Sequence, residues 1–417
     1  MPTVRLPIGR DEIVFELPLP LQETRTEEEH VKRRTADEAL EQCIGSPRLE
    51  ELSEGVSKIA VVVPDATRAW QHVPLMAEPV RRRLAQCGVE SVDWVIGGGQ
   101  HRLPTDEEIE LILSSAPSSN DRILPHDAFK AVPLSRKTTA GTPVELHPAV
   151  AEAELVVVLG GITHHDLAGY SGGRKGIIPG VAGKRSTQHN HGLAFSGNGI
   201  HPGVHCGSLD ENPIHQDMME FVRTALEGKK SFLLNVIGDK EGRPATYVAG
   251  SIEEAWAKGI EEAEALQGLY IDEPADLVIV SSGGYPFDID LYQAVKAVSA
   301  TYGAVRPGGG LILVADLPEG LGYPDFGTTL VKAMDDFGSA LEEVRHNFTI
   351  PPFIALKTVK NLVELNSALV TPKTDIEYPG MVTRSLDEAF RRIAKEVKPK
   401  KAVVIPSGNS IALKVRA

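Results

Sequence analysis

Leu155–His191 reads LVVVLGGITHHDLAGYSGGRKGIIPGVAGKRSTQHNH. Its first five residues, Leu155–Leu159, form a short, wholly apolar, β-branched run, the signature of a strand buried on both faces of a parallel sheet. The polar segment that follows therefore starts where a strand ends. In open α/β sheets, ligands bind in the loops at the carboxyl ends of the strands. From Ile162 to His191 that segment holds four histidines, a Gly172-Gly173 turn running into Arg174-Lys175, and a second small-residue loop. Glycines let backbone N–H groups approach a phosphate or carboxylate, while lysine and histidine supply a nucleophile, metal ligands and proton carriers. The segment reads as an active site. His189 and His191 alternate, so an extended chain turns them to opposite sides, and one of the two is the ligand candidate.

The same alternation of short aliphatic runs and amphipathic stretches continues in both directions, as in parallel sheets covered by helices. Ile59–Val63, Val92–Ile96 and Phe232–Val236 read as further strands, and Leu75–Cys87 as a helix ending at Gly88. Thr105, followed by Asp106, Glu107 and Glu108, caps a helix start, and Ser251 with Glu254 opens another with a capping box. Beyond Gly268–Pro274 the pattern restarts with a strand at Leu277–Val280, a helix near Leu291–Ala300, and strands at Leu311–Ala315 and Ala402–Ile405. The expectation is an α/β fold of two domains, 1–270 and 271–417, with mostly parallel sheets and the active site in the interdomain cleft. The last strand could return to the first domain.

The chain's 417 residues suit about two or three domains. A net charge of −14 with no basic face argues against a nucleic-acid partner, so an anionic small substrate must be met by local cations in a cleft. Three widely spaced cysteines imply neither a disulfide framework nor a thiolate zinc site. No apolar run approaches the roughly 20 residues of a membrane span, and the start lacks a signal-peptide core, which points to the cytoplasm. Phosphate-loop, dinucleotide-binding Gly-x-Gly-x-x-Gly and His-Glu-x-x-His patterns are missing from the sequence.

Three more polar clusters sit just after strands. Asp65-Ala66-Thr67-Arg68 would be bland as an Asx-type turn with a surface arginine, and only its place at a strand end favours function. Gly97-Gly98-Gly99-Gln100-His101-Arg102 leaves backbone open beside a histidine, although a flexible turn would look the same. In the second domain, Ser281-Ser282-Gly283-Gly284-Tyr285-Pro286 leads to Tyr292-Gln293 and Lys296. Gln293 and Lys296 are one helical turn apart on one face, an amide and a cation suited to a carboxylate, or a solvated helix face.

Taken in order, these pieces resemble the nickel-dependent lactate racemase family. The matching elements are Asp65-x-Thr67-Arg68, Gly99-Gln100-His101-Arg102, His165-x-x-Ala168-Gly169-Tyr170-Ser171-Gly172-Gly173-Arg174-Lys175, Pro179-Gly180, Asn190-His191, Asn212-Pro213 and Gly283-Gly284-Tyr285-Pro286 running to Tyr292-Gln293-x-x-Lys296. The resemblance implies a 2-hydroxy acid racemase or epimerase using a nickel-pincer nucleotide, a pyridinium-3,5-bisthiocarboxylic acid mononucleotide, made by cofactor-biosynthesis proteins. It makes Lys175 the covalent tether, His191 the nickel ligand, and His101 with His165 the acid/base pair. It places Asp65, Thr67, Arg68, Ser171, Gly172 and Gly173 around the cofactor, and Arg68, Tyr292, Gln293, Lys296 and Phe353 around the substrate. The chemistry is coherent: removing a proton beside a carboxylate would create a dianion, whereas removing hydride to an electron sink while a base takes the hydroxyl proton does not. Where the family's cleft has a tryptophan, this chain has Phe353. That departure, with Arg68, Arg102 and Arg174 in the right loops, leads to the expectation of a substrate larger than lactate, malate-like or aromatic. Two other classes fit the histidines less well: a histidine-ligated zinc hydrolase or lyase, and a non-catalytic nickel or cofactor carrier.

Overall fold

The computed structural model describes residues 1–197 and 199–416. The chain divides into two compact units, one formed by Glu27–Ala194 and Pro202–Leu266, the other by Met1–Thr26, Phe195–His201 and Gln267–Ala417.

The first unit is built on a six-stranded sheet. Its strands are β1 (Ile59–Pro64), β2 (Asp93–Gly97), β3 (Arg122–Pro125), β4 (Leu155–Ile162), β5 (Lys230–Gly238) and β6 (Pro244–Gly250). The order across the sheet is β6-β5-β4-β1-β2-β3. Only β6 runs antiparallel to its neighbour. Successive strands step one way from β1 to β3 and the other way from β4, so the order reverses between β1 and β4, a topological switch point of the kind where ligands bind. Both strands at this point are apolar on both faces because both faces are covered. Val61, Val63, Val157 and Leu159 meet Met76, Val80 and Leu84 of helix α1 (Pro74–Gln86) in one core. Helix α2 (Asp106–Leu113) starts with the complete Thr105/Glu108 capping box.

In the second unit, β7 (Ala275–Ser281), β8 (Val305–Val314), β9 (Asn366–Val370), β10 (Met381–Thr383) and β11 (Ala402–Ile405) form an all-parallel sheet in the order β10-β9-β8-β7-β11. The last strand thus pairs with β7 and stays in this unit. The chain's first residues differ from the boundary expected at 1–270. Thr3–Ile8 and Asp11–Glu16 form a hairpin whose buried Val4 and Leu6, with Leu17, belong to the same core as Leu277, Ile279, Ile312 and Phe390. The reason is tertiary: alternate apolar residues require a core, and the one that takes them lies in the C-terminal sheet. Phe195 likewise joins this unit, packing against Phe348 and Phe353 at ring separations of 6.0 and 5.8 Å. Among the described residues no helix is long and apolar enough to cross a membrane.

Candidate active site

The polar clusters sit at the carboxyl ends of β1, β2 and β4. Leaving β1, Asp65 is buried, and its Oδ2 accepts a 2.6 Å hydrogen bond from His101 Nδ1 in the loop after β2. The other carboxylate oxygen accepts from Thr67 Oγ1 at 2.6 Å, and Arg68 Nη1 donates to the same hydroxyl at 2.7 Å. Burial alone would raise the Asp65 carboxyl. The hydrogen bonds from His101 and Thr67 and the charges of His101 and Arg68 outweigh it, leaving the group below its ordinary value and ionised. Gly99 N–H donates to the Gly180 carbonyl at 2.9 Å, which fastens the β2 loop to the segment following Lys175.

After β4, His164–His165 and Gly169–Tyr170 form a two-residue antiparallel ladder. His164 Nε2 bonds Glu264 at 2.6 Å, and the Tyr170 hydroxyl donates to the same oxygen, so His164 is committed to holding the ladder. His165 faces the other way, its Nε2 lying 2.7 Å from Lys175 Nζ. Lys175 sits in a 3₁₀ turn, Gly173–Gly176. Burial, then the charges of Arg68 and Arg174, push its ammonium well below the ordinary lysine range. Burial followed by the charges of Lys175, Arg68, His191 and Arg174 does the same to His165. A neutral lysine among neutral histidines is an unusual arrangement, and such groups mark functional sites.

His191 lies on helix α3 (Lys184–Gly192), not on extended chain. The two histidines still diverge, because residues two apart on a helix face apart. His189 Nδ1 bonds Thr142, whereas His191 is buried and pushed down to about 3 by burial and by the charge of Lys175. Asn190 between them donates to Asp217 at 2.8 Å and to the Ile214 carbonyl at 3.1 Å, anchoring that turn.

Several expected site residues have a different occupation. Gly172 and Gly173 have φ of +71° and +50°, and a Cβ at either would lie 2.6 Å from Asn235 Oδ1 or Trp256 Cδ1 respectively. Their close approach is to protein rather than to a phosphate, so they are glycine because the turn is packed. Ser171 Oγ donates to the Gly161 carbonyl and accepts from Thr163 N–H, lacing the loop to the strand end. Arg174 is fully buried, stacks 4.0 Å from the Trp256 ring and donates to the Ala168 carbonyl. Arg102 is held by Glu108 in a two-pronged ion pair. Of the three arginines expected to meet a second substrate carboxylate, Arg102 and Arg174 are thus engaged by protein groups, and Arg68 donates to Thr67 Oγ1. Asn235 and Trp256 were not singled out in the sequence, although an asparagine inside the apolar strand FLLNVIG and a tryptophan in an amphipathic helix are both visible there. Trp256 Nε1 donates to the Ser171 carbonyl at 2.9 Å, and Asn235 Oδ1 accepts from Gly173 N–H at 2.8 Å.

In the C-terminal unit, helix α4 (Leu291–Ser299) is capped by Asp290. Lys296 donates to Gln293 Oε1, confirming that the two share a face, and its ammonium lies 5.9 Å from the Tyr292 ring. Tyr292 also packs edge-on against Tyr323 and Phe326. Phe353, expected on a cleft wall, is fully buried between Phe195 and Phe348. It fills a core.

This is a two-domain α/β protein whose lysine and histidines converge at a sheet switch point. The lactate racemase N-terminal domain model matches residues 9–201, and the lactate racemase C-terminal domain model matches 271–413. The chain is 30% identical over 440 residues to a lactate racemase of Thermoanaerobacterium thermosaccharolyticum, covering 99% of this chain and 100% of that one. It is 30% identical over 395 residues to a lactate racemase of Lactiplantibacillus plantarum, covering 92% and 91%. The solved lactate racemase apoprotein from T. thermosaccharolyticum superposes with a TM-score of 0.84 at 27% identity, over 99% of this chain and 100% of that chain. A Thermotoga maritima protein of solved structure shares the fold at a TM-score of 0.64 and 20% identity, over 92% and 98% of the two chains. The chain belongs to the lactate racemase family, a family of isomerases.

Proposed function

We propose that this protein racemises or epimerises a lactate-type 2-hydroxy acid with a nickel-pincer nucleotide joined to Lys175. The observation that carries the reading is the Lys175–His165 contact at 2.7 Å, at a site where burial, then the charges of Arg68 and Arg174, keep the amine neutral. Only a neutral amine can form the thioamide link. His191, buried and neutral, suits the nickel position. Among the described residues no group of three or more His, Cys, Asp and Glu side chains is placed to hold a metal, so His191 is proposed as the protein donor, with the remaining donors supplied by the nucleotide. The residues therefore fit the group. When bound it supplies the electron sink that takes the substrate hydrogen with its electron pair and gives it back.

The chain's own residues handle the proton and the charge. His101 Nε2 takes the hydroxyl proton, and Asp65 stabilises the imidazolium that results. His165 serves the opposite face. Arg68 supplies the guanidinium for the substrate carboxylate, and Gln293 with Lys296 offers an amide and a cation for carboxylate or hydroxyl. Proteins that make the cofactor are then required partners. A malate-like or aromatic substrate stays within the proposal, but Phe353 in the core and the engaged Arg102 and Arg174 remove most of its support, so lactate against malate is the comparison that ranks them.

The test is intact mass, peptide mapping and metal analysis after co-expression with a cofactor-making pathway. The expected result is an adduct on the Lys175 peptide, lost in Lys175→Ala, with His191→Ala losing nickel and keeping the adduct. An adduct on another lysine, or nickel retained without His191, would overturn the assignment.

A further inference from the structure

His101 and His165 are expected to serve as equals on opposite faces of the substrate, yet their hydrogen-bond partners are opposite in kind. The partner of His101 Nδ1 is the ionised carboxylate of Asp65, which can only accept. Nδ1 of His101 therefore carries a hydrogen, and a neutral ring keeps its lone pair on Nε2. The partners of His165 Nδ1 are the backbone N–H groups of Leu167 at 3.2 Å and Ala168 at 3.3 Å, which can only donate. Nδ1 of His165 is therefore the bare nitrogen, and a neutral ring carries its hydrogen on Nε2. That hydrogen points at Lys175 Nζ, which must accept it and so has a free lone pair of its own.

We infer that the chain holds its two acid/base histidines in opposite tautomers, His101 as Nδ1–H and His165 as Nε2–H, so that they are unequal proton carriers. The inference rests on their roles in the proposed racemisation for its consequence, but not for its geometry. Accepting a proton at Nε2 requires no change of tautomer in His101, and the carboxylate behind it faces the cation that forms. For His165, becoming a base at Nε2 or becoming an imidazolium requires a hydrogen on Nδ1, facing two backbone donors. His101 is thus the resting proton acceptor, and His165 reaches its working form only when its loop, Asp166–Ala168, shifts those two N–H groups. Enantiomers have equal free energy, so kcat/KM must match in the two directions. The inequality therefore appears as kcat and KM differing between enantiomers by one common factor.

The test is nitrogen NMR of the full chain labelled at its thirteen histidines. Spectra are taken at about pH 8.5, some two units above the ordinary imidazole value so that neutral rings dominate. Signals are assigned by His101→Gln and His165→Gln, with Lys175→Met as a second route to His165. The expected result is a protonated Nδ1 and bare Nε2 for His101, and the reverse for His165. Asp65→Asn should collapse the first preference and leave the second. Both rings in one tautomer, or His165 protonated on Nδ1, would overturn the inference. Because no cofactor is needed, a loaded enzyme that fails to racemise would sink the proposed function and leave this result standing.

Discussion

Asp65 decides between two readings of the β1 loop, and Asp65→Asn separates them quantitatively. The family resemblance implies a place for Asp65 beside the cofactor; the geometry places it behind His101, 2.6 Å from Nδ1. A hydrogen bond to a charged group contributes about 1.5–3 kcal/mol. At about 1.4 kcal/mol per decade, losing that bond as charge develops on the ring is worth roughly 10- to 150-fold in rate. His101 is 47% exposed, so solvent screens part of the interaction and the lower end applies. Removing the ring altogether, as in His101→Ala, forfeits proton transfer worth about 10²–10⁴-fold. Asp65→Asn should therefore cost about tenfold or somewhat more in kcat/KM with His101 present, and almost nothing in the His101→Ala background, since it acts through the ring. The assay follows racemisation from each pure enantiomer by chiral chromatography, with nickel content and the Lys175 adduct measured on the same samples. Equal losses in both backgrounds would refute the positioning role. Loss of nickel or adduct in Asp65→Asn would return the residue to the cofactor.

Two further outcomes test the packing around Lys175. Gly173→Ala should destabilise the chain by about 1–3 kcal/mol, read as a shifted denaturation midpoint, because φ is +50° and the new methyl would lie 2.6 Å from Trp256. Gly55→Ala, at φ +69° with nothing within 4 Å, should cost less, and the reverse order would show that strain rather than packing governs the turn. Lys175→Met should stabilise the chain at neutral pH. The folded amine binds its proton well below the ordinary 10.5, so between those values the unfolded chain holds one proton more and wild-type stability rises with pH. The gap between variant and wild type should therefore close as pH climbs toward 10.5, and a constant gap would mean that Lys175 is protonated when folded.

What was legible in the sequence follows from the range of the forces involved. β1 and β4 appear as IAVVV and LVVVL because a doubly covered strand must be apolar throughout, and Thr105 with Glu108 announces a helix because a capping box closes within four residues. Polar residues at strand ends could be picked out for the same reason: Asp65, His101 and His165 follow apolar runs, and Lys175 follows the glycine turn beyond one. Their pairing could not be. Asp65 and His101 are 36 residues apart, and which carboxylate backs which histidine depends on β1 and β2 being neighbours. Helix α3 was hidden because KRSTQHNHG has no apolar period to betray a helix. It is held by Asn190 and Asp217, 27 residues apart.

The hairpin at Thr3–Ile8 shows the same limit for a whole element. Val4 and Leu6 declare that one face is buried, but no local signal says in which core. The glycines make the sharpest case. In the sequence, Ser171-Gly172-Gly173 has the look of a loop opened for a ligand. In the fold, the space beside each glycine is filled by Asn235 or Trp256, residues 62 and 85 positions away from their loop contacts. Small residues mark a close approach without naming what approaches. Here the tight packing of the turn is what leaves Lys175 against His165, its amine shielded from water and, among the described residues, without an acidic partner to charge it.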